Sequence, residues 1–591
     1  MRHPTLGHFF VTLLTLVTAV GALPETPEYF KSPPSTPPTI SIPKIQRELG
    51  PQLSLNSLIF GPSDPRWPVA THRYQLTNPP NIQIVVQPAQ ESDVSKIIKY
   101  CNRNSIPFMV VNTGHGFTYT LGKFKGLQID MKLLTKFQIS SDKKSAFVQG
   151  GVYAWEVMRT LDKAGYITAT TSSNCPSVIG PALGGGHGRV EGLYGLVSDN
   201  FISLNVVLAD GSTLTDVSSK NHPDLFWALK GAGHNFAVIT SFQIKIYPRR
   251  SNLWHWHNYY WTADKRELVL SEMSKLQFNS SVLPLFTGFL TISYNFTHSS
   301  TEPTLWYSFV WNGSPEEAEA VLAPFNAIPA LDQYQGDLPY PEIMIPQAAP
   351  FFVPCGSFGA NFSGATGFLT KINLTVEKKI YDLFKAKCEE TPELKQSARL
   401  FYEGYADKGI KALDDKSSAY PHRERNHLVF FMAVAPTEGL KAAADSLGEK
   451  IWKLWDEGEG RKKLAVYVNY TIGKAFETLE SVYGYDGWRL EKLKKLKRRY
   501  DPGNKFTCVP GQLTGQQAGQ EASGAYQYSR APMGGQLLHV QVPEALHLDG
   551  WLVRKVGDTG WICMKEAVGP LSQKTWILSN HDQAQKRPLV E

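Results

Sequence analysis

The chain is short of charge: Asp, Glu, Lys and Arg make up 19% of its 591 residues, below the roughly one quarter of an ordinary domain. Its 60 Lys and Arg against 53 Asp and Glu leave a formal +7. No long basic arm accompanies that small excess, which argues against nucleic acid as a partner. Cysteine is also scarce. The six (Cys101, Cys175, Cys355, Cys388, Cys508, Cys563) are widely spaced without a Cys-x-x-Cys, so neither a zinc ribbon nor a dithiol redox motif is present. Their pairing is not readable from spacing. Several site signatures are missing: a strict G-x-G-x-x-G after a strand, G-x-x-x-x-G-K-[ST], G-x-S-x-G and H-E-x-x-H. Nucleotide hydrolysis and serine-esterase chemistry thereby lose their best signals. Beyond residue 22 no apolar run approaches the ~20 residues needed to span a bilayer, and no membrane partner is expected.

What is present is apolar material for more than one core, at 42% hydrophobic residues. At ~150 residues per domain the length suggests about four domains, or two large ones. Residues 1–22 read as an export signal: Arg2 and His3, an apolar stretch Phe9 to Val20, then Gly21 and Ala22, with cleavage expected after Ala22. A secreted protein follows. Six N-x-S/T sequons begin at Asn279, Asn295, Asn312, Asn361, Asn373 and Asn469, and five of them suggest a glycosylated outer face in the central region. Asn469 sits in a strand-like run, which argues against its use.

The segment 23–62 opens rich in Pro, Ser and Thr, a composition that favours extended chain. From Ile82 the pattern is strand (Ile82 to Val86), a helix starting at Ser92-Asp93 with a stripe Val94, Ile97, Ile98 and Cys101, then strand Phe108 to Val111. The loop Asn112-Thr113-Gly114-His115-Gly116 follows at once. Further on, Asp210-Gly211 between Leu204 to Ala209 and Ser212 to Thr215 predicts a hairpin. From about 249 the texture becomes aromatic and strand-like (Trp254 to Trp261, Phe289 to Tyr294, Thr304 to Trp311), with helical stretches such as Glu377 to Lys387. The run Ala465 to Tyr470 reads as a strand, and Leu490, Leu493 and Leu496 as one face of a helix. The region 511–591 is unassigned.

Glycine is concentrated at two places: Gly114-His115-Gly116 after a strand, and Gly184-Gly185-Gly186-His187-Gly188. Glycines let backbone N–H groups turn toward a ligand, and such concavities suit a pyrophosphate. Together with Gly126 to Asp130, Tyr194 to Asn200, Asn221 to Gly231, Asn235-Phe236, Tyr467 to Tyr470 and Tyr500-Asp501-Pro502, their order is specific. The chain resembles the FAD-linked oxidases of the berberine bridge enzyme-like group, in the vanillyl-alcohol oxidase/PCMH superfamily, over roughly residues 65 to 510.

The resemblance implies an α+β protein: a PCMH-type FAD-binding domain of two α/β subdomains (63–248), and a substrate domain with a large antiparallel sheet backed by helices (249–464). A C-terminal segment (465–510) returns to the FAD domain. It implies FAD bonded covalently through His115, although the loop Asn112-Thr113-Gly114-His115-Gly116 departs from the family's R-S-G-G-H-S. Counting back from Gly184, the family's second linking position falls on Ser173; Cys175 matches the local motif only after a two-residue deletion, so a single histidyl bond is favoured. Thr113 to Gly116, Gly184, Gly185, Gly186, Asp199, Asn200 and Val238 carry over as flavin contacts. Tyr467 and Tyr470 match positions near the isoalloxazine, where a tyrosine serves as base or hydrogen-bond donor. On an extended strand residues three apart face opposite sides, so only one of them is expected at the flavin. The implied chemistry is hydride transfer from a small organic substrate (an alcohol, a sugar or a secondary-metabolite intermediate) to flavin N5, with O₂ as acceptor. The alternatives are a dehydrogenase with another acceptor, and a noncatalytic glycosylated binding protein that keeps the fold.

Two further features have plain readings. His255 and His257 share one face of a strand but lack an evident third ligand, so ordinary sheet residues are the better reading and no metal is expected. The basic run Lys492, Lys494, Lys495, Lys497, Arg498 and Arg499, interleaved with leucines, reads as a solvated helix face.

Overall fold

The computed structural model describes residues 40–278, 283–348, 359–425, 427–460, 462–506 and 513, together with four strands between 545 and 578. The expected export signal and Asn279 lie outside these residues. The chain divides into two compact units, Met1–Ala518 and Gly519–Glu591.

The first unit is built on three main sheets. Strands Asn81–Gln87, Lys125–Asp130 and Phe108–Val111 pair in parallel, with Leu58–Phe60 antiparallel at one edge. Helix Glu91–Arg103 makes the crossover, burying Val94, Ile97, Ile98 and Cys101, the stripe expected from the 3.6-residue period. It begins slightly earlier than the Ser92-Asp93 signal suggests. Asp93 acts from inside the first turn, its carboxylate accepting from the Gln90 amide (3.2 Å) and from Ser54 and Ser57. Part of the Pro-rich 23–62 segment is folded, against expectation: helix Ile42–Leu49 carries its proline in the first turn and buries Ile45 and Leu49.

The second sheet is antiparallel, in the order Phe137–Ile139, Ser145–Gln149, Val238–Lys245, Phe201–Val207, Thr213–Val217. The predicted hairpin turns at Gly211, whose φ of +80° suits glycine. The third sheet has seven antiparallel strands, Asp332–Leu338, Trp254–Trp261, Thr304–Trp311, Phe286–Ser293, Arg399–Tyr405, His427–Val434 and Phe362–Leu369 in that order. Among the helices of this region are Pro315–Asn326, Leu374–Glu390 and Glu438–Glu459. One apolar core holds Ala146, Val148 and Phe242 together with Val466, Leu490, Leu493 and Leu496, so the C-terminal stretch packs back onto the second sheet.

Two expectations are corrected here. Helix Gly487–Tyr500 has its three leucines inward, but its basic face is not wholly solvated: Lys497 is 1% exposed in its side chain and donates to Asn235 O (2.8 Å), Asp501 Oδ2 (2.7 Å) and Phe506 O (3.2 Å). The run Ala465 to Tyr470 is not a strand. It makes a single bridge, Phe368 to Ala465, and then tightens into a 3₁₀ turn over Val468–Tyr470. In the unassigned tail, Leu513 is buried and its amide donates to Asn235 Oδ1 (3.1 Å). The second unit holds an antiparallel sheet in the order Ala545–Leu548, Trp551–Val556, Gly560–Glu566, Trp576–Leu578.

Candidate active site

The first glycine loop leaves strand Phe108–Val111 and is half-exposed over Asn112 to His115, with Gly116 exposed. Asn112 anchors it by donating to Gly150 O, and the Gly114 carbonyl accepts from the Tyr74 amide (3.0 Å). Gly114 has φ +73°, and a Cβ there would press on His72 O. The amides of Gly114, His115 and Gly116 have no protein acceptor among the described residues. Three consecutive donors on a left-handed kink form a concavity for anionic oxygens, the donor chemistry that a dinucleotide's pyrophosphate needs. The residues present therefore fit FAD at this loop.

His115 Nδ1 lies 3.0 Å from Thr113 Oγ1, which also accepts from the Ser177 amide (3.2 Å). The ring stacks on Tyr74, with centroids 5.6 Å apart. Burial pushes the imidazole down to about 4, so it is neutral with a lone pair near neutral pH. The Ser177 bond ties this loop to the stretch that carries Ser173 and Cys175. Ser173 accepts through its carbonyl from Thr171 Oγ1 (2.9 Å). Cys175 is buried and disulfide-bonded, so its sulfur is committed.

The second glycine stretch does different work from the first. The amides of Gly184, Gly185 and Gly186 donate to Pro181 O (3.0 Å), Ala182 O (2.9 Å) and Tyr467 Oη (3.2 Å), leaving none for a phosphate. Gly185 and Gly186 sit at φ +109° and +85°, and their Cβ atoms would press on Tyr420 and Val197. These glycines permit close packing of protein on protein. Asp199 and Asn200 are likewise turned to protein partners. Asp199 forms a two-pronged pair with Arg423 (2.8 and 2.9 Å), while Asn200 donates to Tyr194 O and Leu196 O and accepts from Tyr247. Both side chains fix the 194–200 turn. Val238 opens its strand with the side chain in the core under the parallel sheet.

Both tyrosines reach one site, because the 3₁₀ turn brings round side chains that a strand would have put on opposite faces. Their ring centroids are 5.2 Å apart. Tyr467 is buried, and its oxygen accepts from Gly186 N and Asn469 Nδ2 (2.7 Å). Asn469 Nδ2 also donates to Pro181 O (2.8 Å), so this sequon nitrogen is occupied, though not for the reason read from the sequence. Asn312 is also closed to modification in the fold, at 3% exposure. Tyr470 is half-buried and donates to Glu403 Oε1 (2.9 Å). Tyr405 donates to Glu403 Oε2 (2.7 Å) and lies 2.9 Å from Ser172 Oγ. Burial pushes the Glu403 carboxyl up, with the two phenols partly opposing that shift. His187 Nδ1 lies 3.0 Å from Glu191, its Nε2 lies 2.8 Å from Tyr420 Oη, and its ring lies 4.9 Å from that of Tyr467.

Glu403, Tyr405, His187, Glu191 and Tyr420 were not singled out from the sequence. The signal that existed was the alternation Phe401-Tyr402-Glu403-Gly404-Tyr405, which puts Glu403 and Tyr405 on one face. An aromatic wall of Tyr74, Phe362, Phe117 and Phe430 leads from His115 to Tyr470.

Comparison with known proteins agrees with this geometry. An FAD binding domain family model matches residues 82–216. The FAD-linked oxidoreductase iacH of Pestalotiopsis fici is 45% identical over 497 residues, covering 83% of this chain and 95% of its own length. This chain belongs to the FAD-linked oxidoreductases. Another member of that family, anuG of Penicillium roqueforti, is 44% identical over 78% of this chain and 91% of its own. The oxidoreductase shares its fold with the xylooligosaccharide oxidase from Myceliophthora thermophila C1, solved with xylobiose (TM-score 0.68, 17% identity, 80% of this chain and 99% of that one). It also shares it with the glucooligosaccharide oxidase from Acremonium strictum, which has a 6-S-cysteinyl, 8α-N1-histidyl FAD (TM-score 0.66, 17% identity, 79% and 98%). The expected α+β fold with its large antiparallel sheet is thus observed, and the chain is an FAD-dependent enzyme.

Proposed function

We propose that this oxidoreductase oxidises a hydroxyl-bearing small organic substrate, with FAD held by a single covalent bond from His115 and O₂ as electron acceptor. The observation that carries the reading is the bond from the half-buried Tyr470 to the buried carboxylate Glu403, at the end of the aromatic wall that begins at His115. FAD, when bound, supplies the acceptor for the hydride leaving the substrate carbon. Tyr470 takes the substrate hydroxyl proton while passing its own to Glu403, and burial favours the protonated form of that carboxyl. Tyr405, whose hydroxyl also meets Ser172, holds the second oxygen of Glu403 in place. Gly114, His115 and Gly116 offer their amides to phosphate oxygens, and the neutral His115 presents a nucleophilic nitrogen for the tether. The disulfide at Cys175 supports one tether rather than two. Tyr470 is preferred over Tyr467 as the substrate-facing phenol because Tyr467 already accepts two hydrogen bonds from the protein.

The substrate class spans sugars, alcohols and secondary-metabolite intermediates; the sugar-oxidising neighbours share the fold at 17% identity. The N-terminal signal-like segment supports export, where a covalent tether prevents cofactor loss.

Mass spectrometry of proteolytic peptides tests the centre of this reading. The flavin mass is expected on the peptide carrying His115, with the Cys175 peptide unmodified, and His115→Ala should release its flavin on acid precipitation. Flavin on another peptide, or a colourless secreted product that takes up no FAD, would refute it. Stoichiometric peroxide under air separates O₂ from another acceptor.

A further inference from the structure

We propose that His255, His257 and Glu319 form a binding site for a divalent metal ion of the zinc type, on the helix-covered face of the seven-stranded sheet. His255 and His257 lie two apart on strand Trp254–Trp261 and so share a face, which continues through Tyr259 and Trp261. The third ligand is supplied from helix Pro315–Asn326, 62 residues further along the chain than His257, too far for the local sequence pattern to show. Glu319 Oε1 lies 3.2 Å from His255 Nε2 and 2.9 Å from His257 Nδ1, and the three atoms lie within 4.8 Å of one another. A tetrahedral ion with bonds of about 2.0–2.2 Å holds its ligand atoms about 3.3 Å apart, so it enters with small side-chain movements.

The outer partners make the stronger argument. His255 Nδ1 faces Asp337 Oδ1 at 3.0 Å, and His257 Nε2 faces Gln333 Oε1 at 3.3 Å. Each of these is an acceptor that can take an imidazole N–H, so with a metal bound each ring keeps its proton on the outer side and gives its other nitrogen to the ion. Tyr259 Oη also lies 3.2 Å from His257 Nδ1, but it donates to Asn326 Oδ1 (2.6 Å). Asn326 Nδ2 in turn donates to Glu319 Oε2 (2.8 Å), aiming the other carboxylate oxygen at the histidines. Two imidazole nitrogens and a carboxylate oxygen therefore converge on one point, a donor set that suits a divalent cation. The imidazoles are 3% and 4% exposed, whereas Glu319 and Asp337 are 32% and 37% exposed, which gives an ion a route from solvent. Three protein ligands leave a fourth position for water.

On the other face of the strand, Asn258 donates to Pro346 O and Trp254 packs on Tyr340 in the core shared with the second sheet. The metal therefore acts as a clip between helix and strand, apart from the redox chemistry.

The test uses the full-length flavoprotein, stripped with a chelator and then titrated with Zn²⁺ by calorimetry and with Co²⁺ by visible absorption. One equivalent should bind, with tetrahedral Co²⁺ bands and a raised Tm. Asp337→Asn should weaken binding by ~10–100-fold, as for other outer-shell partners, and His257→Gln and Glu319→Gln by more. Flavin content reports folding of each variant. Should His257→Gln lose flavin, Glu319→Gln decides, since its side chain is partly exposed and isosteric. Absence of stoichiometric uptake at micromolar metal by the wild type, or equal uptake by a folded Glu319→Gln, overturns the site.

Discussion

Tyr470 and Tyr467 differ in what their hydroxyls already do, and that difference sets opposite expectations for one substitution. Tyr470→Phe removes the proton path to Glu403 and should lower kcat by ~10²–10⁴-fold with flavin retained, as single-turnover flavin reduction would show. Tyr467→Phe takes the acceptor from the buried Gly186 amide and should cost about 1–3 kcal/mol of stability by denaturant titration, with the smaller effect on kcat. Glu377 supplies a pH test. Burial raises its carboxyl from 4.5 to about 7, against the opposing bond from Tyr402, so the folded state binds its proton more tightly than the unfolded chain. Its contribution is complete below 4.5 and is lost as pH rises through about 7. Thermal melts across that range should show Glu377→Gln losing less stability than the wild type as pH rises. At this scale the sequence showed the glycine loop that holds Thr113 and His115, but not the contact between them. It was silent where partners come from far away: Glu403 meets Tyr470 across 67 residues.

Elements were readable where period and packing agree. Strand Trp254–Trp261 and the leucine face of Gly487–Tyr500 follow from an aromatic, strand-favouring run and from the 3.6-residue stripe. Val466 to Tyr470 misleads because β-branched and aromatic residues favour a strand, while the actual turn is held by Asn469 on Pro181 and by the Tyr467 bond to Gly186. The middle glycines belong to this scale too. Gly185→Ala forces a side chain onto φ +109° and against the Tyr420 ring, and should destabilise by about 1–3 kcal/mol in urea unfolding. Lys497→Ala leaves the buried Asp501 without its counter-charge, held by the Lys505 and Phe506 amides, and a loss of about 3 kcal/mol is expected by the same measurement.

Across the molecule, the proposed flavin loop 113–116 is tied to a separate stretch, 171–177, by the Ser177 bond to Thr113. Reduction of the disulfide at Cys175 should therefore lower stability by about 2–4 kcal/mol while flavin stays with the acid-precipitated protein, since the tether is assigned to His115. Flavin in the supernatant after reduction would instead implicate the cysteine. By itself the sequence determined the family, because each motif that carries it is a short run of neighbouring residues kept in order along the chain. Only the tertiary structure decided that the second glycine cluster packs protein on protein, that Asp199 serves Arg423, that both tyrosines reach one site, and that Glu319 joins two histidines. Each of these is a pairing across tens or hundreds of residues, and a linear pattern carries the faces of an element but not which faces meet.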